Sequence, residues 1–78
     1  MNIGVAIEET AKIAQYAMWQ PVSSSAISAV RWDPLVMEVR FTNGYEYAYP
    51  AVPMEVFEDF LASSSKGRYF NSVIKPYG

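Results

Sequence analysis

Apolar side chains return every three to four positions along residues 2–18. At about 100° per residue, Ile3, Ala6, Ile7, Thr10, Ile13, Ala14 and Ala17 fall on one stripe, with Glu8, Glu9, Lys12 and Gln15 opposite. The pattern predicts an amphipathic helix. Its stripe is thin, built largely from alanine, and such a face packs closely against a sheet or against its own copy. Pro21 and the run Ser23-Ser24-Ser25 end the period, so residues 19–25 read as a linker.

From Ala26 the period shortens to two. Ala26 to Asp33 forms a first predicted strand, stopped by Asp33-Pro34, because proline has no N–H to give a central ladder and holds its predecessor extended. The second strand is clearer: Leu35, Met37, Val39 and Phe41 alternate with Val36, Glu38, Arg40 and Thr42. Asn43-Gly44 then turns the chain, and Tyr45 to Tyr49 returns antiparallel with three tyrosines at alternate positions.

The loop length decides which way those rings point. A two-residue loop would oppose Phe41 with Glu46 and place the carboxylate on the core face. A three-residue loop with Gly44 in the left-handed position of a bulge opposes Phe41 with Tyr45, Val39 with Tyr47 and Met37 with Tyr49. Burying an unpaired carboxylate costs several kcal/mol, whereas an aromatic set against an apolar cross-strand neighbour gains up to about 1 kcal/mol. The bulged register is therefore expected, with Tyr47 and Tyr49 facing the core and Tyr45 at its edge.

After Pro50 the period lengthens again. Pro53 suits a helix start, Glu55 favours its positive end, and Val56, Phe57, Phe60 and Leu61 recur at helical spacing. Ser63-Ser64-Ser65 ends this helix. Residues 66–74 read as a second short helix that buries Tyr69, Phe70, Val73 and Ile74 and ends at Pro76. The predicted fold class is α+β: an N-terminal helix, a three-stranded antiparallel meander, then two short C-terminal helices. Residues 1–20 form the helix and linker, and residues 21–78 the domain.

Composition narrows the chemistry. With 78 residues, a single small core burying about 60% of the unfolded surface is all that can form. The chain has no cysteine and no histidine, which removes disulfides, thiolate or imidazole metal sites and every His-based catalytic arrangement. Glu55, Glu58 and Asp59 cluster, but at the spacing of a solvated helix face. No enzyme activity, cofactor or metal is expected. No apolar run approaches the roughly 20 residues that span a bilayer, and the N-terminus meets acid before a long apolar run develops, so neither membrane insertion nor a secretory leader is expected.

Taken together, Pro21-Val22-Ser23-Ser24-Ser25-Ala26-Ile27, Val30-Arg31-Trp32-Asp33, the Leu35 to Phe41 strand, Asn43-Gly44, Tyr47-Ala48-Tyr49, Val52-Pro53 and Ser65-Lys66-Gly67-Arg68-Tyr69-Phe70-Asn71 resemble the KTSC domain. That small bacterial and phage module also occurs at the C-terminus of some lysyl-tRNA synthetases. The resemblance spans about residues 21–77. It carries no established activity, and it implies an RNA-binding role only through the association with the synthetase. Trp32 stands where tyrosine is common, Arg31 replaces a glycine, and the N-terminal helix lies outside the resemblance.

Two readings of function follow. As an interaction module, the chain would bind a protein partner or self-associate through residues 2–18, with Ile3, Ile7, Ile13, Trp19 and Trp32 as the contact residues. It would act in the cytoplasm, or in a virion if phage-encoded. As an RNA-binding domain it would use Tyr45, Tyr47, Tyr49 and Arg40, with Ser65, Lys66, Gly67, Arg68 and Lys75 forming an anion site in a tail free of acidic side chains. Net charge disfavours RNA: Asp and Glu number 8 against 6 for Lys and Arg, giving −2, and phosphate binding is driven by clustered cations. The interaction module is the preferred reading.

Overall fold

The computed structural model describes residues 3–78, with side chains from residue 9 onward. Helix α1 covers Ile3–Tyr16, and strands β1 (Gln20–Pro21), β2 (Ile27–Trp32), β3 (Val36–Phe41) and β4 (Glu46–Pro50) follow. Helices α2 (Met54–Ala62) and α3 (Lys66–Tyr69) come next. A wider π-type turn over Phe70–Ile74 and a tight 3-10 turn over Lys75–Tyr77 continue α3. The sheet is an antiparallel meander in the order β1-β2-β3-β4.

Four strands replace the three expected. The added strand is two residues long and falls in the segment read as linker, where Gln20 pairs with Val30 and Pro21 with Ala29. Pro21 is tolerated because β1 is an edge, with no further strand to receive a donor.

The β2–β3 connection takes in one residue more than the alternation implied. Asp33 and Val36 exchange backbone hydrogen bonds at 2.9 and 3.2 Å, and the Asp33 carboxylate accepts the N–H groups of Leu35 and Val36. Leu35 is therefore the tip of a two-residue turn and 81% exposed, not the first core residue of β3. Chain direction, not hydrophobicity, sets its place.

At the β3–β4 turn the bulged register is present. Met37 opposes Tyr49, Val39 opposes Tyr47 and Arg40 opposes Glu46. Gly44 donates to the Phe41 carbonyl at 2.9 Å, Phe41 donates to the Tyr45 carbonyl at 2.8 Å, and Gly44 sits at φ +93°. A side chain there would carry a steric cost against its own backbone, so glycine is the fitting residue.

One face of the sheet carries the core. Ile27, Val30 and Trp32 from β2 and Met37 and Val39 from β3 meet Val52, Phe57 and Phe60 around α2, and Phe70 and Ile74 beyond α3, all buried. The π-type turn, in which Lys75 N–H reaches back five residues to the Phe70 carbonyl, lets Phe70 and Ile74 point inward together. The Trp32 indole donates to the Val52 carbonyl at 2.6 Å, so its single polar atom is satisfied inside the core.

Candidate functional site

Three surfaces and a cavity at the tail gather the residues that the sequence singled out. The first is the base of α1. Ile13 and Tyr16 pack partly against the core, while Ala11, Ala14, Gln15, Ala17 and Met18 stay exposed. The Tyr16 ring meets Phe57 edge-on at 5.0 Å and Trp32 at 6.3 Å, and its hydroxyl donates to Glu58 at 2.8 Å. Lys12 approaches the same carboxylate at 3.4 Å. These donors hold Glu58 below the ordinary carboxylate range, the Tyr16 hydrogen bond contributing most. Burial first, and the neighbouring Glu58 second, push the Tyr16 phenol up.

Periodicity alone missed Tyr16, which falls outside the alanine stripe. Of the stripe residues whose side chains are described, Ala14 and Ala17 are exposed, while the last turn of α1 is anchored on the core. Ile13 is at this anchor. Ile3 and Ile7 lie on α1, but their side chains fall outside the described residues. Trp32, expected on the partner surface, is 4% exposed: it faces α2 across the sheet, stacked on Phe57 at 6.2 Å, and serves the core.

The second surface is the sheet face turned away from the helices. Trp19 lies there with the Arg31 guanidinium at 4.5 Å and the Arg40 guanidinium at 4.2 Å from its ring centre. Arg31 also pairs with Glu38 at 2.9 Å, and Arg40 with Glu46 at 2.8 Å. Each cation is thus shared between a carboxylate and one indole face. The Glu38 hydrogen bond raises the already high Arg31 pKa further. Arg31 stood out in the sequence only as a departure from a pattern; its partnership with Trp19 depends on β1, which the linker reading concealed.

The third surface is the tyrosine row. Tyr49 is buried against Phe70 in an edge-on contact at 5.4 Å, and burial pushes its phenol pKa up. Tyr47 points to the same side of the sheet but is 55% exposed, and Tyr45 is 64% exposed. The helical layer does not extend over this end of β4, so Tyr47 faces the core side without being covered. Its ring rests on Phe41 at 5.7 Å and lies 6.5 Å from Tyr45. Arg40 belongs to the opposite face. The tyrosines and the arginine proposed as one nucleic-acid surface are therefore divided by the sheet.

The tail residues assemble in part. Ser65 and Arg68 line an open cavity of about 370 Å³ together with Ser63, Ser64, Tyr69, Ser72 and Val73. Lys66 folds back to donate to the Ser63 carbonyl at 2.9 Å. Gly67 and Lys75 do not line this cavity. Among the described residues no helix is long and apolar enough to cross a membrane.

Comparison with known proteins follows this division of the chain. The KTSC domain family model matches residues 23–77, leaving α1 and β1 outside. A protein of Tsukamurella paurometabola is 51% identical over 59 residues, covering 73% of this chain and 88% of its own length. A protein of Stutzerimonas stutzeri is 42% identical over 57 residues, 70% of this chain and 80% of its own. The crystal structure of a KTSC domain protein from Yersinia pestis superposes with a TM-score of 0.71 at 40% identity, over 74% of this chain and 84% of that one.

Proposed function

Because the chain belongs to the KTSC domain family and carries, ahead of the matched segment, a helix whose last turn is anchored on the domain while Ala14 and Ala17 stay exposed, we propose that it is a non-catalytic interaction module whose α1 engages a protein partner or a subunit of a larger assembly. The observation that carries this reading is the exposure of Ala14 and Ala17 beside the anchored Ile13 and Tyr16. A helix held at one end by Tyr16, Phe57 and Glu58 is presented at a defined angle, and its small residues let another backbone approach closely. The composition supports the non-catalytic part, since no imidazole or thiol is present to act as base or nucleophile. Such a module would work in the cytoplasm, or within a virion if phage-encoded.

The test uses the intact chain. Ala14→Glu and Ala17→Glu lie on exposed helix positions and should change stability by less than about 0.5 kcal/mol, while abolishing capture of the partner from source lysate. Capture that is unchanged by both substitutions would sink the arm as the contact element.

A second reading, nucleic-acid binding, draws support from one feature, the cavity where Arg68 stands with Ser64, Ser65 and Ser72, the Ser63 hydroxyl being spent on the Phe60 carbonyl. A guanidinium with several hydroxyl donors suits a phosphate oxygen. The divided tyrosine and arginine surfaces, and the net charge of −2, weigh against an extended nucleic-acid track.

A further inference from the structure

Strand β4 is, with the two-residue β1, one of the two edges of the sheet, and its hydrogen-bonding phase can be read from its two ends. Phe41 donates to Tyr45 at one end and Ala51 donates to Leu35 at the other, so the odd-numbered residues of β4 exchange bonds with β3. Glu46 and Ala48 consequently turn their N–H and C=O groups outward. The C-terminal turn packs on β4 at the Tyr49 ring, against Gly78, but Glu46, Tyr47, Ala48 and Pro50 are all exposed, so the Glu46 to Ala48 stretch of the edge stays open. An unpaired edge of this kind is a template for another strand.

We propose that β4 pairs antiparallel with β4 of a second copy, about a two-fold axis through Tyr47. In that register Glu46 of each copy opposes Ala48 of the other, and the two pairs exchange all four of their outward N–H groups with carbonyls across the axis. Pro50, which has no N–H, falls opposite Gly44 in the turn, where the ladder has already ended. The strand therefore lacks a donor only where none is needed.

The side chains agree with this register. Tyr47 meets Tyr47 of the other copy in the close, non-hydrogen-bonded pair, and each Tyr45 meets the other copy's Tyr49. The exposed rings of Tyr45 and Tyr47 gain cover, all on the helix-bearing side. On the opposite side each Glu46 faces an alanine instead of another carboxylate, and it already holds Arg40 at 2.8 Å. A heterologous peptide could meet the backbone donors, but the match between Glu46 and Ala48 and between the tyrosines is a match of this strand to itself. The joined sheet would comprise two sets of four strands, with both helical layers on one side.

This contact goes beyond the α1 reading and is separable from it. Sedimentation equilibrium of the intact chain should show a concentration-dependent monomer–dimer equilibrium. Ala48→Pro removes one outward donor from each copy and should weaken the dimer about tenfold or more, since symmetry deletes two ladder bonds. Ala14→Glu on α1 should leave the equilibrium unchanged. Because the chain has no cysteine, Tyr47→Cys supplies an independent readout. Facing cysteines in a non-hydrogen-bonded pair lie within disulfide range, about 4.5 Å between Cα atoms, so mild oxidation should give a covalent dimer. Tyr45→Cys, whose counterpart across the axis is Tyr49, should stay largely uncross-linked under the same conditions. A monomer at every concentration, a dimer indifferent to a folded Ala48→Pro, or equal cross-linking of the two cysteine variants would each overturn the pairing. A dimer lost with Ala14→Glu alone would assign association to α1 instead. Should Ala48→Pro fail to fold, the contrast between the two cysteine variants decides.

Discussion

The Tyr16 hydroxyl donates to the Glu58 carboxylate across 2.8 Å, and this bond joins an element outside the family match to a helix inside it. It fixes the direction in which α1 leaves the domain. A fixed direction lowers the entropy that α1 would lose on binding a partner, compared with a freely jointed arm.

The same bond should shape the acid limb of stability. Glu58 has its folded-state pKa lowered, chiefly by Tyr16, from an ordinary value of 4.5. A depressed carboxylate stabilises the fold above its unfolded pKa, and the contribution fades as pH falls through the lower folded value. Tyr16, with its pKa raised above 10.0, acts at the other end: its contribution is complete below 10.0 and is lost as pH rises through the folded value. Thermal melts across pH should therefore show Glu58→Gln and Tyr16→Phe less stable than the parent near pH 7, with the gap from the parent narrowing below pH 4.5. A gap that is constant with pH would show that the hydrogen bond does not titrate with the carboxylate.

Neighbouring tyrosines on one face should differ sharply. Tyr49→Ala removes a buried ring packed on Phe70 and should cost about 3 kcal/mol, whereas Tyr47→Ala removes a ring that is 55% exposed and should cost under about 1 kcal/mol. Urea melts of dilute protein separate the two. Equal losses would mean that the rings are equally covered in solution.

Gly44 offers a backbone test. A Cβ built at this position meets nothing within 4 Å, so any cost of Gly44→Ala comes from the φ of +93° alone. The expected loss is about 1 to 2 kcal/mol, read from denaturant midpoints with an unchanged m-value. A neutral substitution would indicate that the loop relaxes to another turn, and with it the bulged register.

How far the fold was legible follows from these residues. The facing of Tyr47 and Tyr49 could be read because alternation, a turn glycine and the cost of burying Glu46 all agreed. Coverage could not, because it depends on how far α2 and the turns after α3 reach over the sheet, a tertiary quantity with no local period. Strand β1 escaped notice because two residues containing a proline carry no strand signal; only their pairing with Val30 and Ala29 makes them one. Trp32 was misplaced for a related reason. An indole near a linker resembles a contact residue until the Val52 carbonyl that satisfies its N–H is seen.

The division of charge and rings across the sheet sets the last expectation, on RNA. Tyr45 and Tyr47 present exposed faces on the helix-bearing side, while Arg31 and Arg40 lie on the other side, each tied to a carboxylate and to Trp19. A strand stacked on the tyrosines would find neither guanidinium beneath its phosphates. Lys66 is committed to the Ser63 carbonyl, which leaves Arg68 and Lys75 as the tail's remaining cations. With so few phosphates neutralised, single-stranded RNA should bind more weakly than roughly 10 micromolar at about 0.15 M salt, with a shallow salt slope. Fluorescence anisotropy on a short labelled RNA measures both quantities. A submicromolar constant that is lost on changing Arg68 and Lys75 to alanine would make the serine-lined cavity the primary site and reverse the order of the two functional readings.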